Sequence, residues 1–264
     1  MDPDQVRRFY DDFMRSRMVG YRLEPNLRLA KAIERVRPWI RDDSRVLDVG
    51  CGIGIFSEQI AKVARHGAVV GIDLSAENIW YARKTIMLPN LRFLQANVLM
   101  QFDVVQGALS GPVDVVTLVD VIEHIPAEAP TTLLQNLRKL MRPTAMLVMT
   151  YPSPQYQRYL NSHEPEELQI IDNAIEIHDL LHEARAAGFE AFHYLLETVW
   201  RTSQYVHSVF GAAARSVDIV GLPTLQRIGS RVRRALRRAF VVPLCAARTS
   251  PVCSLIDRRL GGRQ

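Results

Sequence analysis

"RVLDVGCGIG", Arg45 to Gly54, decides how the rest of the chain is read. Val46, Leu47 and Val49 surround a single aspartate, Asp48, and three glycines follow at alternate positions, Gly50, Gly52 and Gly54. The short apolar run fits a buried strand. Glycine loses more conformational freedom on ordering than any other residue. Three of them straight after a strand imply either a sharp backbone turn or a ligand that comes close to the main chain.

Working outward, helix-like and strand-like segments alternate with short connectors. A helix with an apolar face at Leu27, Ala30, Ile33 and Val36 precedes the strand, opened by Pro25 and ended or bent at Pro38. "IFSEQIAKVAR" is a helix closed by Gly67, and "AVVGIDLS" is a strand whose Ser75 can cap "AENIWYARKTI". "LRFLQANV", the apolar "VDVVTLVDVI" and "AMLVMTY" are strands, and "APTTLLQNLRKLM" is the helix before the last of them. This alternation predicts an α/β protein, a mainly parallel sheet with helices on both faces. After Tyr151 the rhythm breaks into a long polar insertion, 152–177, expected over the carboxyl edge of the sheet. A helix, "IHDLLHEARAAG", and two strand-like runs, "EAFHYLLETVW" and "YVHSVF", then predict an antiparallel hairpin at one side.

Composition narrows the class. The chain has 264 residues, 48% of them apolar, and no apolar run nears the roughly 18 residues of a membrane span. The N-terminus is polar and lacks the apolar stretch of a signal peptide. Three cysteines without CxxC spacing predict neither a disulfide framework nor a metal site. These features are those of a cytoplasmic protein. The net charge of +5 is uneven: residues 215–264 hold eleven arginines and two aspartates, a balance of +9, which leaves the body at −4. We therefore expect a domain over 1–214, with a helical lid at 1–40, and a basic helical extension over 215–264.

The loop after the first strand of such a sheet usually holds a ligand. Here the third glycine falls one residue earlier than in the dinucleotide fingerprint GxGxxG. Asp73 ends the next strand, nineteen residues after Gly54, where a carboxylate can accept from a ribose diol or cap the following helix.

Four segments, "VLDVGCGIG", "GIDLS", "LQANV" and "DVVTLVDVIEHI", in this order over residues 46–125, resemble the class I S-adenosylmethionine-dependent methyltransferases. The resemblance implies a Rossmann-like sheet of seven strands, the last antiparallel. It implies S-adenosyl-L-methionine as cofactor and S-adenosyl-L-homocysteine as product. Gly50, Gly52 and Gly54 would then let the backbone approach the methionine part, and Asp48 would orient the loop or the cofactor ammonium through water. Asp73 would grip the ribose, and Asn97 would stand where the family commonly has an acidic residue for the adenine amino group. Asp120 would face the crevice, with Cys51, Leu74 and Val98 placed beside these residues as cofactor-lining. Tyr10 and Tyr21 fall in the region that closes over the cofactor in related enzymes.

A hydroxyl acceptor needs a proton removed. His124, in "VIEHIP", is one candidate base and is equally readable as a residue that packs its loop. His163, in the polar insertion, is a second, and Tyr151, ending the fifth strand, could line the acceptor pocket. The expected function is methyl transfer to a hydroxyl of a small molecule, with sugars or glycans suggested by resemblance. An RNA methyltransferase anchored by the tail and a cofactor-binding protein without catalysis stay open. Residues 224–240 form an amphipathic helix pattern with Arg227, Arg231, Arg234 and Arg238 on one stripe. It could dock on the body or on a partner subunit, or lie on the inner face of a membrane. The acidic body and the lack of interleaved aromatics argue against nucleic acid.

Overall fold

The computed structural model describes residues 5–9, 11 and 26–212. Tyr10, Tyr21, Pro25 and the basic segment from 213 onward lie outside the described residues.

Seven strands form one sheet: β1 (Arg45–Val49), β2 (Ala68–Asp73), β3 (Leu91–Gln95), β4 (Val113–Val119), β5 (Met141–Pro152), β6 (Phe189–Glu197) and β7 (Tyr205–Ala212). Their order is β3-β2-β1-β4-β5-β7-β6. The first five are parallel, and β7 runs antiparallel between β5 and β6, with Val148 opposite Val209 and Tyr194 opposite Ser208. The expected hairpin is present, and its second strand is inserted next to β5.

Alternation along each strand divides the core. Val46, Val69, Val115, Met146 and Val148 face one side, under α1 (Leu27–Val36), α2 (Ile55–Val63) and α3 (Ala76–Thr85). Leu47, Val70, Val116, Leu118, Leu147 and Met149 face the other, under α4 (Phe102–Ala108), α5 (Pro130–Leu140) and α7 (Ile177–Ala186). Burial of about 1.5–3 kcal/mol per large aliphatic side chain on both faces is what selects the parallel, doubly covered sheet. Asn26 caps α1 by accepting from Leu29 N–H at 3.0 Å, and Ser75 caps α3 by accepting from Asn78 N–H at 3.1 Å.

Two helices were not expected. α4 is short and starts without a side-chain cap. The insertion contains α6 (Pro154–His163), whose Ser153 accepts from Tyr156 N–H and whose Pro154 occupies the first turn. Its side chains are polar, which hid its period. α1 is locked to the far edge of the sheet by Arg35, which donates to both oxygens of Glu197 at 2.6 and 2.8 Å.

The order in which strands are added across the sheet reverses between β1 and β4, since β2 and β3 lie to one side of β1 and β4 and β5 to the other. The carboxyl ends of those two strands frame a crevice, the usual ligand position in open α/β sheets.

Candidate active site

The glycine loop leaves β1 at Val49 and enters α2 at Ile55. All three glycines have positive φ, 71°, 54° and 83°. Their surroundings differ. A Cβ on Gly50 would sit 2.4 Å from a methyl of Val121, and one on Gly54 would sit 2.6 Å from the Phe93 ring. A Cβ on Gly52 would meet nothing within 4 Å. Gly50 and Gly54 thus answer to packing, and Gly52 faces open space. The N–H groups of Gly50 and Cys51 both donate to the Ile72 carbonyl, at 2.8 and 2.9 Å, which fixes the loop to the end of β2.

Asp73 holds the same loop from the side. One carboxylate oxygen accepts from Gly52 N–H at 2.8 Å, and the other accepts from Ser75 N–H at 2.8 Å and the Asn78 amide at 3.2 Å. Ser75, not Asp73, caps α3. These three donors mean that Asp73 supports local structure as well as facing the cavity. Asp48 lies beneath, buried, accepting from the hydroxyls of Ser57 and Thr117. Burial pushes its pKa up to about 6, against the pull of those two hydroxyls. Burial also raises the Cys51 thiol well above its usual range.

One cavity of about 250 Å³ collects the predicted cofactor residues. Asp48, Gly50, Cys51, Gly52, Asp73, Leu74, Asn97, Val98, Asp120 and His124 all line it; Gly54 does not. Asn97 is committed to its own turn. Its Oδ1 accepts from Leu99 N–H at 2.9 Å, and its carbonyl accepts from Gln101 N–H at 2.7 Å.

Asp120 follows β4 with a φ of 55°, a left-handed conformation that costs a non-glycine residue of order 1–3 kcal/mol. Its Oδ2 pairs with Arg28 of α1, and its Oδ1 is buried without a hydrogen-bond partner. An orphan carboxylate oxygen in a lined cavity is a place for a ligand donor. Arg28 also stands over the Tyr205 ring, 5.9 Å from its centroid.

His124 ends a 3₁₀ turn, Ile122–His124, beside this pair. Its Nδ1 lies 2.7 Å from the Ile171 carbonyl and 3.0 Å from Asp172 Oδ1. Its Nε2 is 3.8 Å from Glu123. Burial disfavours the imidazolium, but the charges of Glu123 and Asp172 and the hydrogen bonds to Asp172 and Ile171 outweigh it, and the pKa is raised. Glu123 is buried, one of its oxygens has no partner, and desolvation raises its pKa.

Two candidates fall elsewhere. Tyr151 is fully buried in the core between the sheet and its helices and does not line the cavity; burial raises its phenol pKa, keeping the proton on. Its large ring is used for packing. His163 ends α6 on the exposed surface, its ring stacked on Tyr159 at 4.5 Å, away from the cavity. The insertion reaches the site through Gln169, Ile171 and Asp172 instead. The sequence reading missed Arg28 and Asp172. Arg28 lies on a helix read only for its apolar face, and Asp172 lies in an insertion read only as polar.

The chain belongs to the methyltransferase domain family, whose sequence profile matches residues 21–194. Its fold is that of the class I S-adenosylmethionine-dependent methyltransferases. It is 34% identical to a ubiquinone biosynthesis O-methyltransferase of Aeromonas salmonicida over 128 residues, 43% of this chain and 49% of that protein. It is 30% identical over 156 residues to the protein of that name from Ralstonia nicotianae, covering 54% of this chain and 58% of the relative. The chain thus spans about half the length of the curated relatives it matches. The crystal structure of a magnesium protoporphyrin IX methyltransferase from Synechocystis, with bound S-adenosylhomocysteine, superimposes with a TM-score of 0.63 at 16% identity. It covers 80% of this chain and 100% of that one, a likeness of fold. No described helix is long and apolar enough to cross a membrane.

Proposed function

We propose that the protein transfers the methyl group of S-adenosylmethionine to a hydroxyl of a small-molecule acceptor, with His124 as the general base. The observation that carries this reading is the single cavity on which the open face of Gly52, the Asp73 carboxylate, the orphan oxygen of Asp120 and the His124 ring converge. The names of the relatives favour oxygen as the acceptor atom. They lend no support to a sugar or glycan.

The residues suit the cofactor. Gly52 leaves room for its methionine part, and Asp73 retains acceptor capacity for a ribose diol. Asp120 Oδ1 can accept from the ammonium, and the Arg28 guanidinium can meet the carboxylate. Leu74, Val98 and Leu99 offer apolar cover for the base. When bound, the cofactor supplies a methyl carbon already activated by the positive charge on sulfur. The protein then has to orient the acceptor oxygen in line, which can lower the barrier by roughly 7–11 kcal/mol. His124 has to take the hydroxyl proton. With Nδ1 beside two acceptor oxygens, Nδ1 carries the hydrogen and the lone pair of the neutral ring is on Nε2.

The test is transfer of tritiated methyl from S-adenosylmethionine to fractions of a cell extract. Label is expected in a small-molecule fraction, reduced about 10²–10⁴-fold by His124→Gln. Label confined to RNA would replace this acceptor with a nucleic acid, and cofactor binding without any transfer would make the protein a pseudoenzyme.

A further inference from the structure

The 169–173 segment comes from the polar insertion, distant in sequence from the cofactor motifs, and is fastened to the turn that carries His124. Asn173 N–H donates to the Glu123 carbonyl at 2.9 Å, and the Asn173 amide donates to the Ile125 carbonyl at 2.8 Å. These two bonds bracket His124. Between them, Ile171 and Asp172 present a carbonyl and a carboxylate to the same ring nitrogen. Asp172 is itself braced, its other oxygen accepting from Gln169 N–H at 2.5 Å, and Gln169 lines the cavity.

We propose that Asp172 is a positioning residue that fixes His124 as the Nδ1–H tautomer with Nε2 as the basic atom, and that Asn173 is the clip that assembles this pair. The inference rests on His124 being the base. A histidine with no such partner distributes its proton between both nitrogens and turns about its side-chain bonds. Two acceptors on Nδ1 remove both freedoms. A carboxylate in that place also stabilises the imidazolium formed when the acceptor proton arrives on Nε2. That proton comes from the acceptor hydroxyl as its oxygen–hydrogen bond breaks, while the oxygen electron pair forms the bond to the methyl carbon. The electron pair of the sulfur–carbon bond returns to sulfur. The neighbouring charges are Glu123 on the same turn, Asp172 on the docked segment, and the Arg28–Asp120 pair contributed by α1 and the end of β4.

The arrangement makes the base a product of docking. The cofactor half of the cavity is built by α1 and the carboxyl ends of β1 to β4. Seating 169–173 places two acceptors on the base, so acceptor-side order and base competence rise together.

The test needs no known acceptor. Full-length protein with bound S-adenosylhomocysteine, labelled with ¹⁵N in its histidines, is titrated by NMR, and His124 is assigned by its loss in His124→Gln. The expected wild-type result is the Nδ1–H tautomer when neutral. Asp172→Asn should lower the proton affinity of His124 about tenfold or more, the size of a charged hydrogen bond. Asp172→Glu should keep most of it. Asn173→Ala should reproduce part of the Asp172→Asn effect, with S-adenosylhomocysteine affinity unchanged in all three. A wild-type Nε2–H tautomer, or a titration that Asp172→Asn leaves unmoved, would overturn the proposal. If Asp172→Asn fails to fold, the Asn173→Ala titration and the wild-type tautomer decide the matter. The reading of His124 as base fails separately, if His124→Gln transfers tritiated methyl into the extract at the wild-type rate while the tautomer is as proposed.

Discussion

Alanine at Gly52 and alanine at Gly54 should damage the protein in opposite ways. Both positions have positive φ, which costs an L-residue about 1–2 kcal/mol. At Gly54 the new methyl also lands 2.6 Å from the Phe93 ring and 2.9 Å from Ile86, inside the packed core under α2 and α3. Overpacking adds about 1–3 kcal/mol. At Gly52 there is nothing for the methyl to meet in the protein, so strain is the whole cost to folding. At about 2–4 °C per kcal/mol, Gly52→Ala should lower Tm by about 2–8 °C and Gly54→Ala by about 4–20 °C. Ligand response reverses the order. S-adenosylhomocysteine at a hundred times its Kd stabilises the wild type by about 2.7 kcal/mol, or about 5–11 °C. A methyl in the ligand's space that weakens binding by about 2 kcal/mol leaves about 0.9 kcal/mol, or about 2–4 °C. Gly54→Ala, where it folds, should keep the full shift. Thermal melts with and without the nucleoside read both quantities from one sample. A Gly52→Ala protein with an undiminished ligand shift would refute the assignment of Gly52 to close ligand approach. The loop would then be a turn and nothing more.

Arg28→Ala should weaken S-adenosylhomocysteine by about 1.5–3 kcal/mol in calorimetry while leaving methylthioadenosine, which has no carboxylate, nearly unaffected; equal losses would place Arg28 outside amino-acid recognition. Asp73→Ala should lower cofactor affinity by a similar amount and, because it strips Gly52 N–H, Ser75 N–H and the Asn78 amide of their acceptor, also cost folding about 1–3 kcal/mol in urea melts. Stability should fall in mild acid through His207, whose burial, opposed by Glu197, holds its pKa down to about 4. Its folded value lies below its unfolded one near 6.5, so its contribution is present above about pH 6.5 and is lost as pH falls towards 4, about 3 kcal/mol in all. Glu197, held at about 2 chiefly by its Arg35 hydrogen bond, loses its share only below about pH 4.5. His207→Gln should flatten the first window and spare the second; identical urea midpoints for wild type and variant from pH 7 to 4.5 would show that His207 does not carry it.

The cofactor half of the site was legible because it is written locally. Glycines at 50, 52 and 54, an aspartate ending the next strand and an apolar fourth strand each declare a backbone conformation within a few residues, and the sheet then brings them together at the reversal between β1 and β4. The other half depends on contacts with no local signature. Ile171 meets His124 across 47 residues, and Arg35 meets Glu197 across 162. Periodicity reports which face of an element is apolar, so Arg28 registered only as a polar gap on α1 and Asp172 as one more charge in an insertion. Even α6, with Ser153 and Pro154 giving a readable start, buries mainly Pro154, Gln157 and Leu160, too few apolar side chains to stand out. His163 and Tyr151 stood out for their chemistry, yet position sets them apart from the cavity: one at the exposed end of α6, the other filling the core. A base is defined by what holds its other nitrogen, and for His124 that partner is supplied by a segment whose own sequence is polar and aperiodic. The acceptor side of this fold is therefore where chemistry can change without disturbing any motif that identifies the cofactor.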